Sequence, residues 1–300
     1  MKDRSTFFIS LVSCLLGFLL TSPFHAQQSQ PMTAVFDFDD QQREYIYFVP
    51  KGLKENAPLL IVLHGFTSSA EKIMNYSKFN QLARKHQFAL VYPQGSKDHK
   101  GNTFWNVGYD FHKDTDVNDI DFLIALIKTV QKDHRLSTEN TFLTGMSNGG
   151  EMTYLMGCMY PDLFKAIAPV AGTMFSNFFD QCVANIDIPV LAIFGTNDEV
   201  TRYDGDPQNE DGWGVYKSTP YVIDFWAQAI HFDKNSSTNI KQSDTSDASH
   251  VVKTRYYNSK NGHQLLYYKV INGGHDWPGA WGNNDIDATQ EIWSFFSSYM

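Results

Sequence analysis

Cysteine is scarce in this 300-residue chain, which holds three, with no CxxC, no HExxH and no other metal-ligand spacing. Neither a redox dithiol nor a metal centre is signalled, and no cofactor is implied. Basic charge is short as well: 24 Lys and Arg stand against 33 Asp and Glu, for a formal net charge of -9. That balance argues against binding nucleic acid or an anionic membrane. Long apolar runs are missing too. The stretch from Phe7 to Leu20, broken by Ser10, Ser13 and Gly17, falls short of the roughly 20 residues that a membrane span needs. There is no internal repeat and no linker between two halves, so one domain is expected.

Lys2 and Arg4 precede that short apolar run, and Thr21, Ser22, Pro23 and Ala26 follow it. This is the layout of an export signal over residues 1–26, with a mature chain starting near Gln27 that is secreted or periplasmic and has no membrane attachment after cleavage. The apolar run continues past Cys14, which argues against lipidation there. Export leaves Cys158 and Cys182 in an oxidising compartment, where one disulfide is expected and two buried free thiols are the alternative.

The body of the chain alternates strand and helix patterns. Residues 44–49, 59–63, 89–92, 166–170 and 189–194 read as strands, and LLIVL at 59–63 is the continuous apolar run of a strand covered on both faces. Residues 77–86 suit a helix. So does the stretch from an Asp116 cap to His134, where Ile120, Leu123, Ile124, Ile127 and Val130 make an apolar stripe. The fold class this predicts is α/β, a mostly parallel sheet with helices on both faces, in a single domain over 27–300. An irregular insertion is expected at about 201–250: 221–232 looks helical within it, and the polar stretch 235–249 reads as a loop. Residues 253–257 and 265–270 read as paired strands, and 287–299 as a closing helix.

The chemistry concentrates in TFLTGMSNGGEMTYLMGCMY, residues 141–160. A strand runs into Gly145-Met146-Ser147-Asn148-Gly149, followed by a helix with Met152, Leu155, Met156 and Met159 at i, i+3, i+4 and i+7 that Pro161 ends. Strand, GxSxG and helix in that order are the setting of a nucleophile elbow. A serine hydroxyl is a weak nucleophile and needs a base, a carboxylate to orient that base, and donors for the oxyanion. Asp198 follows the strand PVLAIF, ahead of its rivals Glu199, Asp204, Asp206 and Asp224. His275 lies in NGGHDWPG just before the last helix, and is favoured over His263 and His250. Asn148 and Phe66, the latter in LHGFTSS, are the expected backbone oxyanion donors, with Thr67 as substitute for Phe66. His64 is read as a structural residue beneath that loop. Trp105, Trp277 and Trp281 are candidate substrate-binding aromatics; Trp213 is balanced between that role and loop packing.

LHGFTSS, FWN, DVNDIDFLIALI, GMSNGGEMTYLMGCMYPDLFKAIAPVAG, FGTNDEVTRYDG and GGHDWPG together resemble the secreted esterases grouped as polyhydroxybutyrate depolymerase-like and feruloyl esterase proteins, in the first carbohydrate esterase family. The resemblance implies the α/β-hydrolase fold, a Ser147–Asp198–His275 triad, a Cys158–Cys182 disulfide and an ester substrate, but its acyl and alcohol preferences do not transfer; feruloyl or acetyl esters of plant polysaccharide are favoured over polyhydroxybutyrate because no separate polymer-binding or linker domain is visible. The alternatives are a polyester depolymerase, an acyltransferase or peptidase on the same scaffold, and a binding protein on an inactive one, which would usually have lost a triad member. Two departures stand where substrate is read: Phe66 follows His-Gly where the family often has a small or polar residue, and 204–249 follows no family pattern.

Overall fold

A computed structural model describes residues 29–183, 186–243 and 247–300. The expected export signal at 1–26 lies outside the described residues. In chain order the strands are β1 (Met32–Phe38), β2 (Gln41–Phe48), β3 (Leu59–Leu63), β4 (Ala89–Pro93), β5 (Ser96–Lys97), β6 (Thr103–Phe104), β7 (Thr141–Met146), β8 (Ala166–Val170), β9 (Val190–Gly195), β10 (Lys234–Asn239), β11 (His250–Tyr257) and β12 (Gln264–Ile271). The helices are α1 (Ala70–Ser77), α2 (Phe79–His86), α3 (Asp119–His134), α4 (Asn148–Met159), α5 (Ser176–Gln181), α6 (Thr219–Ala229) and α7 (Ala288–Ser297).

One ten-stranded sheet runs in the order β1-β2-β4-β3-β7-β8-β9-β12-β11-β10. Its centre, from β4 to β12, is parallel, and the strands outside it on both sides pair antiparallel. All five residues of β3 are buried, and the two-residue period splits them between two apolar layers. Leu59, Ile61 and Leu63 pack with Leu126 of α3, Met152 of α4 and Trp226 of α6. Leu60 and Val62 join Ile73 of α1, Leu82 of α2 and Phe296 of α7. Helices thus cover both faces, as expected from the sequence.

Several boundaries differ from the sequence expectation. The helix expected over 77–86 is two, because Lys78 sits in the left-handed region at φ 55° and breaks it. The cap of α3 is Asn118, whose side chain accepts from Asp121 N–H, and not Asp116. The following Asp119 is buried and bound to Arg43 at 2.6 Å. Within the insertion at about 201–250 a helix, α6, falls where 221–232 is expected to form one, but the stretch 235–249, expected as loop, begins inside a strand. That strand is β10, whose six residues are all exposed. An edge strand that covers no core needs no apolar alternation, so its polar sequence read as loop. β1, likewise at an edge, pairs with β2 along its whole length.

Cys158 and Cys182 are disulfide-bonded, tying the end of α4 to the residue after α5 across a separation of 24 residues. Closing a loop of that size restricts the unfolded chain by about 3 kcal/mol. Reduction is therefore expected to lower Tm by roughly 5–10 °C. Melting curves with and without reductant check this, and an unchanged Tm after verified thiol release would contradict it.

Candidate active site

The parallel strands deliver their carboxyl ends to one rim of the sheet, the edge where open α/β sheets place their ligands. β7 ends at Met146, β9 at Gly195, β12 at Ile271 and β3 at Leu63, and the residues of interest follow each within four positions. Ser147 is the pivot between β7 and α4. Its φ of 56° and ψ of -124° hold it in a strained conformation, which costs on the order of 1–3 kcal/mol. The turn is held by Ser147 N–H donating to Val170 O and Glu151 N–H donating to Ser147 O, both at 2.8 Å. It also depends on close backbone approach. A Cβ on Gly149 would lie 2.3 Å from Leu63 O, and one on Gly65 would meet Ser147 Cβ at 3.2 Å. The loop after β3 therefore sits directly against the elbow.

His275 Nδ1 lies 2.7 Å from Asp198 Oδ2. The Asp198 side chain is fully buried, and its other oxygen accepts the Val200 and Thr201 amides, each at 2.8 Å. A carboxylate accepts only, so Nδ1 carries the proton and Nε2 is left with a free lone pair, as a base requires. The competing residues lie elsewhere. Asp206 accepts the amides of Glu210 and Asp211 inside the 202–214 turn, and His263 pairs with Asp187. Glu199, Asp204, Asp224 and His250 are exposed.

Ser147 and His275 line one cavity of about 220 Å³, walled by Phe66, Tyr109, Phe175 and Trp213. Among the described residues no hydrogen bond joins the serine to the imidazole. Catalytic contacts are often long in an empty site and shorten when substrate binds.

The Phe66 and Asn148 amides flank the serine, and among the described residues neither donates to a protein acceptor. Thr67, the substitute, is committed: its N–H donates to Thr103 O at 2.8 Å. The loop is braced from below. Asn148 Oδ1 accepts from Trp105 N at 2.7 Å, and Trp105 Nε1 donates to His64 O at 2.8 Å. His64 Nε2 accepts the Gly95 amide at 2.9 Å while Nδ1 faces Gly65 O at 2.7 Å. Burial pushes the His64 imidazole down to about 4, so it is a neutral strut.

Trp105 is thus corrected from a substrate platform to a brace, fully buried behind the elbow. Trp277 is corrected likewise: it is 1% exposed, donates to Thr289 Oγ1 at 3.1 Å and packs on Tyr76 and Phe79. Trp281 is 39% exposed, but its indole donates to His275 O at 3.3 Å and its ring abuts Tyr76, outside the residues that line the cavity. The tryptophan at the cavity is Trp213, edge-on to Phe66 at 5.5 Å and Tyr109 at 5.0 Å. Sequence reasoning missed Tyr109, Phe175, Tyr216 and Glu151. For Glu151 a signal existed, the one charged residue of α4, placed one helical turn after Ser147. Among the described residues no cluster of three or more His, Cys, Asp or Glu is arranged to hold a metal.

Residues 43–204 match the model of the family described as Esterase PHB depolymerase. The putative esterase NocK of Nocardia uniformis subsp. tsuyamanensis is 26% identical over 239 residues, covering 76% of this chain and 67% of its own. Poly(3-hydroxyalkanoate) depolymerase C of Paucimonas lemoignei is 25% identical over 244 residues, 77% of this chain but only 57% of its own length. Among solved structures, the acetyl xylan esterase from Aspergillus awamori superposes with a TM-score of 0.62 at 14% identity, covering 90% of this chain and all 100% of that one, a likeness of fold. The matched span holds the elbow, the loop after β3 and Asp198 within the parallel sheet described above. The chain belongs to the Esterase PHB depolymerase family and is a carboxylic ester hydrolase of the α/β-hydrolase fold.

Proposed function

We propose that the chain is an exported single-domain serine esterase whose triad is Ser147, His275 and Asp198. His275 Nε2 takes the Ser147 proton as Oγ attacks the ester carbonyl, and the amides of Phe66 and Asn148 receive the oxyanion. The imidazolium then protonates the departing alcohol. Water, deprotonated by the same nitrogen, releases the acid from Ser147. The observation that carries this reading is the 2.7 Å His275–Asp198 pair on the wall of the cavity into which the strained Ser147 turn opens. Exposure to the outside fits the disulfide between Cys158 and Cys182.

Feruloyl esters of plant polysaccharide are favoured over acetyl esters, because Phe66, Phe175 and Trp213 make a wall suited to an aryl group that an acetyl group leaves unfilled. The similarity to poly(3-hydroxyalkanoate) depolymerase C keeps a polyester substrate as the second reading. A fluorophosphonate probe is expected to label the protein, with the adduct on the Ser147 peptide by mass spectrometry; labelling elsewhere, or none, defeats the triad. Rates on methyl ferulate, acetylated xylan, p-nitrophenyl acetate and polyhydroxybutyrate rank the substrates.

Trp213→Ala removes one face of the wall, worth about 2 kcal/mol of buried ring. It is expected to raise KM for methyl ferulate roughly 10- to 30-fold with a much smaller effect on p-nitrophenyl acetate. Equal loss on both esters would show that Trp213 only packs its loop.

A further inference from the structure

Ester cleavage by Ser147, His275 and Asp198 makes no use of Glu151. Yet Glu151 is 4% exposed and, among the described residues, is the one acidic side chain lining the cavity that holds the serine and the imidazole. It stands one helical turn after Ser147 and therefore on the same face of α4. Its Oε2 accepts the Tyr109 hydroxyl at 2.5 Å. Much of the remaining wall is rings and aliphatic carbon, Phe66, Phe175, Val200 and Trp213 among them. A carboxyl in such surroundings is costly, and two neutral donors, the Tyr109 hydroxyl and the Asn148 side-chain amide, do not offset that cost. A carboxylate has about four lone-pair sites, of which Tyr109 and Asn148 take two and leave others for a ligand. This corner of the cavity therefore offers acceptors to a ligand and calls for a donor.

We propose that Glu151, oriented by Tyr109, is a specificity-determining residue that accepts a hydrogen bond from a hydroxyl on the acyl part of the ester. The preferred substrates are then hydroxylated acyl esters, either hydroxyaryl or hydroxyalkanoyl. The acyl part is the one concerned because it stays on Ser147 after the alcohol has left, and so is what the cavity must hold. This inference rests on the triad reading above.

The pH dependence follows from the groups that face the carboxyl: the Tyr109 hydroxyl, the Asn148 amide and, through space, His275 and Asp198. Burial is the largest influence and raises Glu151 to about 7; Tyr109, Asn148 and His275 pull it down and Asp198 pushes it up. Below that value Glu151 carries a proton and can donate to an ether oxygen as well as meet a hydroxyl. Above it the carboxylate only accepts, and a methoxy group in place of the hydroxyl is rejected. Discrimination therefore rises as pH rises through about 7.

The test uses matched esters: methyl ferulate against methyl 3,4-dimethoxycinnamate, and methyl 3-hydroxybutyrate against methyl 3-methoxybutyrate. The ratio of kcat/KM within each pair is measured for the wild type, Glu151→Gln and Tyr109→Phe, about one pH unit on either side of the Glu151 midpoint. In one pair the wild type is expected to favour the hydroxylated ester roughly 10- to 100-fold at the higher pH, and less at the lower. The responding pair identifies the acyl class. Glu151→Gln presents an amide N–H to the cavity and is expected to flatten the ratio at both pH values; Tyr109→Phe lowers it. A wild-type ratio near one in both pairs, or one independent of pH, overturns the proposal without reliance on either variant. So does a ratio that survives Glu151→Gln. Failure of the wild type to hydrolyse even p-nitrophenyl acetate would instead remove the triad reading.

Discussion

Ser147→Ala is expected to lower kcat for p-nitrophenyl acetate by about 10⁴- to 10⁶-fold, the scale on which loss of the nucleophile acts in serine hydrolases. The hydroxyl is the only group removed. The turn survives, because its two 2.8 Å bonds, to Val170 O and from Glu151 N–H, are made by the Ser147 backbone. Alanine inherits the strain at φ 56° without adding a clash. Circular dichroism and Tm should therefore match the wild type while fluorophosphonate labelling disappears. A folded variant that keeps a tenth of the wild-type rate would show that ester cleavage here does not pass through Ser147.

Asp198→Asn is the second large effect, a fall in kcat of roughly 10⁴-fold. Its direction follows from the bonds around the side chain. One oxygen of Asp198 accepts the Val200 and Thr201 amides, and the other faces His275 Nδ1. An asparagine must turn its carbonyl oxygen to those two N–H donors, which leaves its NH2 pointing at Nδ1. An amide NH2 cannot accept a proton, so Nδ1 becomes the acceptor and the imidazole hydrogen moves to Nε2. The nitrogen that should take the Ser147 proton is then already protonated, although the geometry is intact. The side chain is fully buried, but the exchange is isosteric and keeps both amide bonds, so the loss belongs in kcat with little change in Tm. Activity within tenfold of the wild type would mean that Asp198 does not orient the base.

Why the convergence of Ser147, Asp198 and His275 at one rim was legible and the binding cavity was not comes down to how each is built. Ser147, Asp198 and His275 each follow a strong apolar strand pattern, and parallel strands must present their carboxyl ends together. Position after a strand therefore implies position in space. The tryptophans have no such anchor. Trp105, Trp213, Trp277 and Trp281 all lie on connections, and whether such a ring faces ligand or core depends on what the other loops bring against it. Trp105 turns inward because Asn148 and His64 take up its backbone and indole N–H groups. Trp213 reaches the cavity because Asp206 organises the 202–214 turn that carries it. The polar strand β10 escaped notice for a related reason, since only its partner β11 makes it a strand.

Composition, strand periodicity and the spacing of Ser147, Asp198 and His275 were enough to determine an α/β layering and an ester-cleaving chemistry, because burial of apolar strands and the needs of a serine nucleophile are local demands written in neighbouring residues. Tertiary structure alone decided which aromatics surround the serine, and that a buried carboxyl, Glu151, shares the cavity with it. Those contacts join loops roughly 40 to 150 residues apart, from Phe66 through Tyr109 and Phe175 to Trp213, and contacts between distant loops are set by packing rather than by any pattern along the chain.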